Sequence, residues 1–387
     1  MTETVAETHE LVERARALFP LLNEHAEAND ETFRLAEPVT EALHDGGFFG
    51  MWVPQSVGGS ELMPLDSLKV IEELTYGDPS VGWVHMAAAL AIGTGAAFLG
   101  DEAVSQLFGG ERFPVIAGQG TRPGQATATD GGHMLSGDWS FASGLLHSGY
   151  IHTAALDEAN GDLRIFVLPV EQATLVDNWD VLGLRGTGSI DYQIRDVFVP
   201  IEWSHPALTE ESPRGGGFYA LGIIGIAMIC HSGWALGMGR RLLDELRALV
   251  KQKAGRPGQF VESDSFHEGY AKAEGTYRAA RAFIGETWAD VQQTLERGEK
   301  LSVRQHTLIR LALAHTTWAV HDVCMFVYKS GGTTALRAGN IQRLFRDMHA
   351  GTQHVTSSPP VIQACGKELA GLADDQMWVF LGLAPKH

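Results

Sequence analysis

The sequence predicts an α+β chain whose helices and strands are segregated into three consecutive units. Three observations carry that expectation. Apolar residues recur at helical spacing before about residue 110. Short extended runs parted by turns fill the stretch from Phe113 to about Pro200. Helical spacing returns after Gly217 and lasts to about Leu381. The expected units are residues 1–112, 113–212 and 213–387.

In the first unit, Leu11 to Leu22 and Phe33 to Leu43 place apolar residues on one helical face, with Glu, Asp and Arg between them. Gly46-Gly47 through Pro54 to Gly59 interrupts the pattern. Asp66 to Tyr76 resumes a helix, and Asp78-Pro79-Ser80 reads as a stop followed by a serine N-cap. Val81 to Leu99 is Ala-rich and nearly uncharged, which predicts a buried helix. In the second unit, Gly131-Gly132 and Asn160-Gly161 are hairpin signals. After the polar linker Ser204 to Gly217, the apolar run Phe218 to Cys230 predicts a core helix. Arg240 to Lys251, His267 to Glu296 and Leu301 to Tyr328 predict long helices. Apolar and small residues on more than one face of them predict burial against other copies of the chain, as a homotetramer.

Composition narrows the function. A 387-residue chain that is 44% hydrophobic and 20% charged folds as more than one core. Asp and Glu outnumber Lys and Arg by 47 to 29, and a net charge of −18 argues against nucleic acid and anionic membranes as partners. The acidic start MTETVAETHELVERAR lacks the basic start and apolar middle of a signal peptide, so a cytoplasmic protein is expected. Cys230, Cys324 and Cys365 form no disulfide framework. The pairs His147/His152 and His315/His321 lack metal-ligand spacing, so no metal is expected. His133, just after a turn, is expected to be exposed. No nucleotide-binding glycine fingerprint opens a strand–helix unit, so NADH is not expected to bind tightly.

The stretch GGHMLSGDWSFASG, Gly131 to Gly144, carries the most chemistry. Strand alternation puts Trp139 and Phe141 on one side, and Ser140 and Ala142 on the other. Ser143-Gly144 then ends the strand with a hydroxyl and a bare backbone. A flat aromatic cofactor requires such a wall, hydroxyl and close main chain. The competing reading is an ordinary hairpin with a half-buried aromatic pair.

Three segments in order resemble the acyl-CoA dehydrogenase superfamily of flavoproteins: LHDGGFFGMWVPQSVGGSEL (43–62), VLGLRGTGSIDYQIRDVFVP (181–200) and SGGTTALRAGNIQRLFRDMHAGTQH (330–354). The resemblance implies an N-terminal helical domain, a central β-barrel-like domain and a C-terminal four-helix bundle. Dehydrogenases of this family use a Glu to take a proton from the carbon beside a thioester. That Glu precedes a Gly-Thr pair, or stands early in the first C-terminal helix. Here Ala350 precedes Gly351-Thr352, and no Asp or Glu lies between Gly215 and Leu243. The family's Arg and Phe-Gly flavin signature is altered to RPGQF, Arg256 to Phe260.

WSFASG, Gly351-Thr352-Gln353-His354 and Arg346-Asp347 are instead similar to the two-component flavin-dependent monooxygenases of this superfamily, closest to hydroxylases of phenols. The resemblance implies reduced FMN or FAD supplied by a separate flavin reductase, O2 as co-substrate, a small aromatic substrate and a flavin hydroperoxide. His354, with a free pKa of roughly 6.5, is then the base or hydrogen-bond partner of the phenol oxygen. Ser143 is the partner of the reactive ring nitrogen, and Trp139 and Phe141 wall the ring. Gln119, Gly120, Gly331, Gly332 and Thr352 are further flavin contacts, and Arg256 reaches a phosphate across a subunit boundary. Trp83 and His85 line the substrate pocket, with a satisfied core histidine the alternative for His85. Arg346-Asp347 reads as a structural ion pair. Two rivals stay open: an acyl-CoA dehydrogenase with an unrecognised base, and a catalytically inactive flavin-fold binding protein.

Overall fold

The computed structural model describes residues 9–255 and 260–386. Six helices come first: α1 (Glu10–Ala17), α2 (Phe19–Thr32), α3 (Glu37–Asp45), α4 (Pro64–Gly77), α5 (Pro79–Phe98) and α6 (Asp101–Phe108). Pro stands in the first turn of α2, α3, α4 and α5, where its missing N–H leaves no hydrogen bond unmade. The periodic stretch from Leu11 to Leu22 divides at Leu18, and Phe33 ends α2 in the left-handed region at φ 57°. The cap of α5 is Asp78, whose carboxylate accepts from the Ser80 amide. Ser80 itself lies inside the first turn, because Pro79 cannot donate and already fits the helix.

Seven strands follow: β1 (Ile116–Thr129), β2 (Gly132–Trp139), β3 (Tyr150–Asp157), β4 (Leu163–Pro169), β5 (Thr174–Val176), β6 (Asp191–Pro200) and β7 (Ser204–Pro206). Their order is β5-β6-β2-β1-β3-β4-β7, so the hydrogen bonding does not close into a barrel, although β4 curls back to touch β6. Only β1 and β3 pair in parallel. Both hairpin signals fall on turns, with Gly131 and Gly161 at positive φ. The curled inner face buries Leu135, Trp139, Ile151, Phe166, Tyr192 and Ile194. The opposite face, carrying Ala154 and Ile165, meets helices. His133 is 5% exposed and 3.4 Å from Asp157. The expectation of exposure fails because the residue points into the sheet against Phe166 rather than following the turn outward.

The last unit holds α7 (Gly222–Lys253), α8 (Asp264–Glu296), α9 (Val303–Gly331), α10 (Asn340–Gly351) and α11 (Pro359–Leu369). Helices α7, α8, α9 and α10 pack together, with α4 and α5 laid on α7. A hairpin, β8 (Gln376–Val379) and β9 (Gly382–Pro385), closes the described chain where helix was expected to about Leu381. The Arg310 guanidinium lies 4.4 Å from the Trp378 ring and donates to the Phe380 carbonyl at 2.8 Å, which anchors that hairpin to α9. Two helical stretches, Pro79–Phe98 and Gly217–Lys253, are long and apolar enough to cross a membrane, but 83% and 78% of their apolar windows are buried in the fold. Both are core helices.

Candidate active site

A cavity of about 650 Å³ lies between the helix-facing side of the sheet and the helices α5, α7 and α10. Its wall draws Trp83 from α5, Gln119 and Gly120 from β1, Phe141 and Ser143 from the loop after β2, and His231 from α7. The register break between Gln119 and Gly124 peels β1 away from β3 there and opens the space.

Two imidazoles face the cavity together. The rings of His231 and His354 are 3.8 Å apart at their centroids and tilted by 31°. Trp83 meets both edge-on, at 5.0 Å from His231 and 5.7 Å from His354. The Thr356 hydroxyl and amide lie 2.9 and 3.4 Å from His354 Nδ1. An amide can only donate, so Nδ1 is the unprotonated nitrogen and Nε2 carries the hydrogen. Burial pushes the His354 imidazole down to about 4. Burial, and then the neighbouring His354, push His231 well below its ordinary value. Both rings are neutral at pH 7. The free value of roughly 6.5 assumed from sequence does not survive, because desolvation disfavours the cation. His231 was missed by sequence reading, although a lone imidazole in the apolar run of α7 was the available signal.

A chain of hydroxyls runs beside the imidazoles. The Trp83 indole N–H donates to Ser143 Oγ at 3.0 Å. Ser143 and Ser189 are 2.8 Å apart, Ser189 and Thr187 2.7 Å, and Thr187 donates to the Leu184 carbonyl at 2.7 Å. With the Thr187 hydrogen committed to a carbonyl, each hydroxyl points toward the next, from Ser143 to Ser189 to Thr187. Ser143 therefore has one lone pair filled by the indole and one free.

Gly183, Leu184 and Thr187 line the cavity, and their segment is clamped from behind. The Leu184 amide donates to Asp347 at 2.6 Å. A Cβ on Gly183 would stand 2.1 Å from the Arg346 carbonyl, so only glycine admits this approach. Arg346 pairs with Asp30 at 2.7 Å, not with Asp347, because successive helix positions point apart. Burial holds the Asp347 carboxyl up at about 7.

Profiles of the acyl-CoA dehydrogenase N-terminal and C-terminal domains match residues 6–108 and 229–359. The chain belongs to the acyl-CoA dehydrogenase superfamily. An indole-3-acetate monooxygenase from Pseudomonas putida is 27% identical over 354 residues, covering 88% of this chain and 89% of that protein. The FADH2-dependent resorcinol hydroxylase, oxygenase component, from a Rhizobium species is 26% identical over 387 residues and 94% of both chains. The crystal structure of the 3-HSA hydroxylase from Rhodococcus sp. RHA1 superposes with a TM-score of 0.86 at 25% identity, covering 94% of this chain and 97% of that one.

The two positions usual for the acyl-CoA dehydrogenase base hold no acid here. Ala350 lines the cavity where the acid of the dehydrogenases would stand, and no Asp or Glu lines it among the described residues. The residues present do fit a flavin. Phe141 is 65% exposed at the cavity edge, and a Cβ on Gly120 would meet nothing within 4 Å. The free lone pair of Ser143 suits a ring N–H.

Several sequence-assigned contacts lie elsewhere. Trp139 does not wall the cavity: it is 1% exposed and stacks on Tyr192 at 5.3 Å inside the sheet. Strand alternation fails between it and Phe141, because β2 ends at Trp139 and Phe141 turns to φ 66°. His85 is a buried core histidine, 3.1 Å from the Phe48 carbonyl and off the cavity wall. Gly331 and Gly332 form the end of α9 and also stand off it. Thr352 spends its hydroxyl on the His349 carbonyl at 2.7 Å. Arg256 lies outside the described residues. Gly351 packs where a Cβ would meet the Trp234 ring at 2.2 Å, and Trp234 in turn braces Trp83.

Proposed function

We propose that this chain is the oxygenase component of a two-component flavin-dependent monooxygenase. It hydroxylates an aromatic, phenolic substrate with O2 and reduced FMN or FAD delivered by a separate flavin reductase. The observation that carries the reading is the stacked pair of neutral imidazoles beside Ala350, in a cavity whose described wall contains no carboxylate. Two relatives are named as oxygenases of aromatic compounds, which supports the same reading.

Reduced flavin, when bound, supplies the electrons that activate dioxygen. The protein's part is to position, to exclude water and to handle one proton. Phe141 and the Gly183–Leu184 backbone would bound the ring, and Ser143, held in place by the Trp83 indole, would accept a ring N–H. His354 Nε2–H donates to the phenol oxygen. His231, neutral, keeps one lone pair to accept the phenol O–H. Even an ordinary imidazole near 6.5 lies about 3.5 units below a phenol near 10, a gap of about 5 kcal/mol, and burial widens it. The phenol therefore binds protonated. Its proton moves to His231 only as the ring loses electron density during oxygen transfer. The predominantly apolar wall keeps water from competing.

The same reading makes the chain a cytoplasmic homotetramer. Exposed Trp318, Met325, Leu336 and Leu372 in the C-terminal unit support an apolar contact with other copies.

The test combines the full chain with a flavin reductase, a phenol and isotopically labelled O2. Label in a catechol product supports the proposal. Calorimetric phenol binding weakened about tenfold by His354→Ala, with flavin binding unchanged, supports the residue roles. Bleaching of bound flavin by an acyl-CoA, with no label in any phenol, would overturn both.

A further inference from the structure

The cavity wall reaches beyond the imidazole pair and the hydroxyl chain. It runs from Ser189 beside β6 to Leu163 and Ile165 on β4 and Ala207 just past β7. Three strands separate β6 from β4 in the hydrogen-bonded order β6-β2-β1-β3-β4-β7, and the curl of the sheet sets both against the same cavity. The imidazole pair and the hydroxyl chain occupy one part of this span. The other part lies over β3, β4 and β7 and is faced by α7.

That second part has one chemical character. Strand alternation puts Leu163, Ile165 and Ala207 on the helix-facing side, and Ile223 at the start of α7 packs against them. Leu208 is 47% exposed and marks an opening to solvent. His152 stands on the cavity wall there, and burial drives it down to about 3, so it presents no positive charge. Among the described residues, no Lys, Arg, Asp or Glu lines any part of the cavity.

Resting on the monooxygenase reading, we propose that this arm is a substrate-tail subsite, and that the substrate is an uncharged phenol with an extended apolar substituent. The hydroxylated ring lies at His231 and His354. The substituent runs between the β4–β7 face and Ile223, toward Leu208. A carboxylate-bearing aromatic is selected against, because its charge would be desolvated against aliphatic side chains with no cation to pair with. Each buried methylene of a tail strengthens binding by up to about fourfold.

The test is calorimetric titration of the full chain under anaerobic conditions, with and without reduced flavin. The probes are phenol, para-hexylphenol and the analogue of para-hexylphenol with a terminal carboxylate. Para-hexylphenol is expected to bind at least about tenfold tighter than either of the others. Ile223→Arg should weaken para-hexylphenol and strengthen the carboxylate. Leu208→Arg, at an exposed position, makes the same test if Ile223→Arg fails to fold. Equal affinity for all three probes, or a preference for the carboxylate in the unmodified chain, overturns the proposal. Labelled catechol from phenol with no tail preference would remove the subsite and leave the monooxygenase standing. A clear tail preference with no labelled product from any phenol would do the reverse.

Discussion

The backbone amide of Leu184 donates to Asp347 at 2.6 Å, and this bond ties the cavity floor to the end of α10. The carboxylate sits among Asp78, Asp30 and Arg343, with Oδ2 unpartnered, and burial dominates its titration.

Asp347→Asn should keep the Leu184 contact through its amide oxygen while losing the ability to ionise. The native carboxyl stays protonated up to about pH 7, whereas an unfolded Asp releases its proton near 3.9. An acid raised in this way contributes its full stability below the unfolded value and loses it as pH rises through the folded one. The wild type should therefore lose stability relative to Asp347→Asn between about pH 4 and 7, by on the order of 4 kcal/mol, and the gap should stay constant above. Thermal melts of both proteins across that range check this. A gap that narrows with rising pH would contradict it.

His354→Ala should lower hydroxylation by roughly 10²-fold. His354→Gln, which restores a donor near Nε2, should recover part of the rate. With His354 pushed down to about 4, the acid limb of its contribution to the pH–rate profile belongs near pH 4 and not near 6.5. A limb at 6.5 that vanishes in His354→Gln would show a charged imidazole in the resting site.

Trp83→Phe keeps an aromatic wall for the imidazoles but removes the donor that holds Ser143. One such hydrogen bond contributes about 1 kcal/mol, so reduced flavin should bind roughly fivefold more weakly. More peroxide should also form per substrate hydroxylated. Unchanged flavin affinity measured by anaerobic fluorescence titration would dissociate the indole from cofactor binding.

Phe380 and Leu381, at the tip of the β8–β9 hairpin, line the cavity. Truncating the chain after Ala373 should leave the helical unit folded, since its core lies in α7 to α10. It should weaken phenol binding several-fold by admitting water. Circular dichroism controls the fold, and calorimetry reads the binding.

Arg310→Met breaks the hydrogen bond to Phe380 and the contact over Trp378. It should reproduce part of the truncation's effect on binding with the hairpin still present. A variant with wild-type affinity would separate the hairpin's anchoring from its role at the cavity.

The sequence by itself determined the alternation of helical and extended units. Apolar period, Pro in first helical turns and glycine in hairpins are local properties that each segment carries wherever it packs. It also determined that the two positions usual for the acid of the dehydrogenases are empty, since Ala350 and the acid-free stretch before Leu243 need no coordinates to read. Tertiary structure alone decided which side chains share a wall. His231 and His354 are 123 positions apart in the chain, and only the packing of α7 against the end of α10 stacks them. The same packing desolvates both rings, so their protonation was illegible beforehand. Trp139 and Phe141, two positions apart, were parted by the end of β2 and the left-handed backbone of Phe141 itself, which leave one in the sheet and turn the other toward the cavity. Burial and register depend on what lies across the space, and no local pattern contains that.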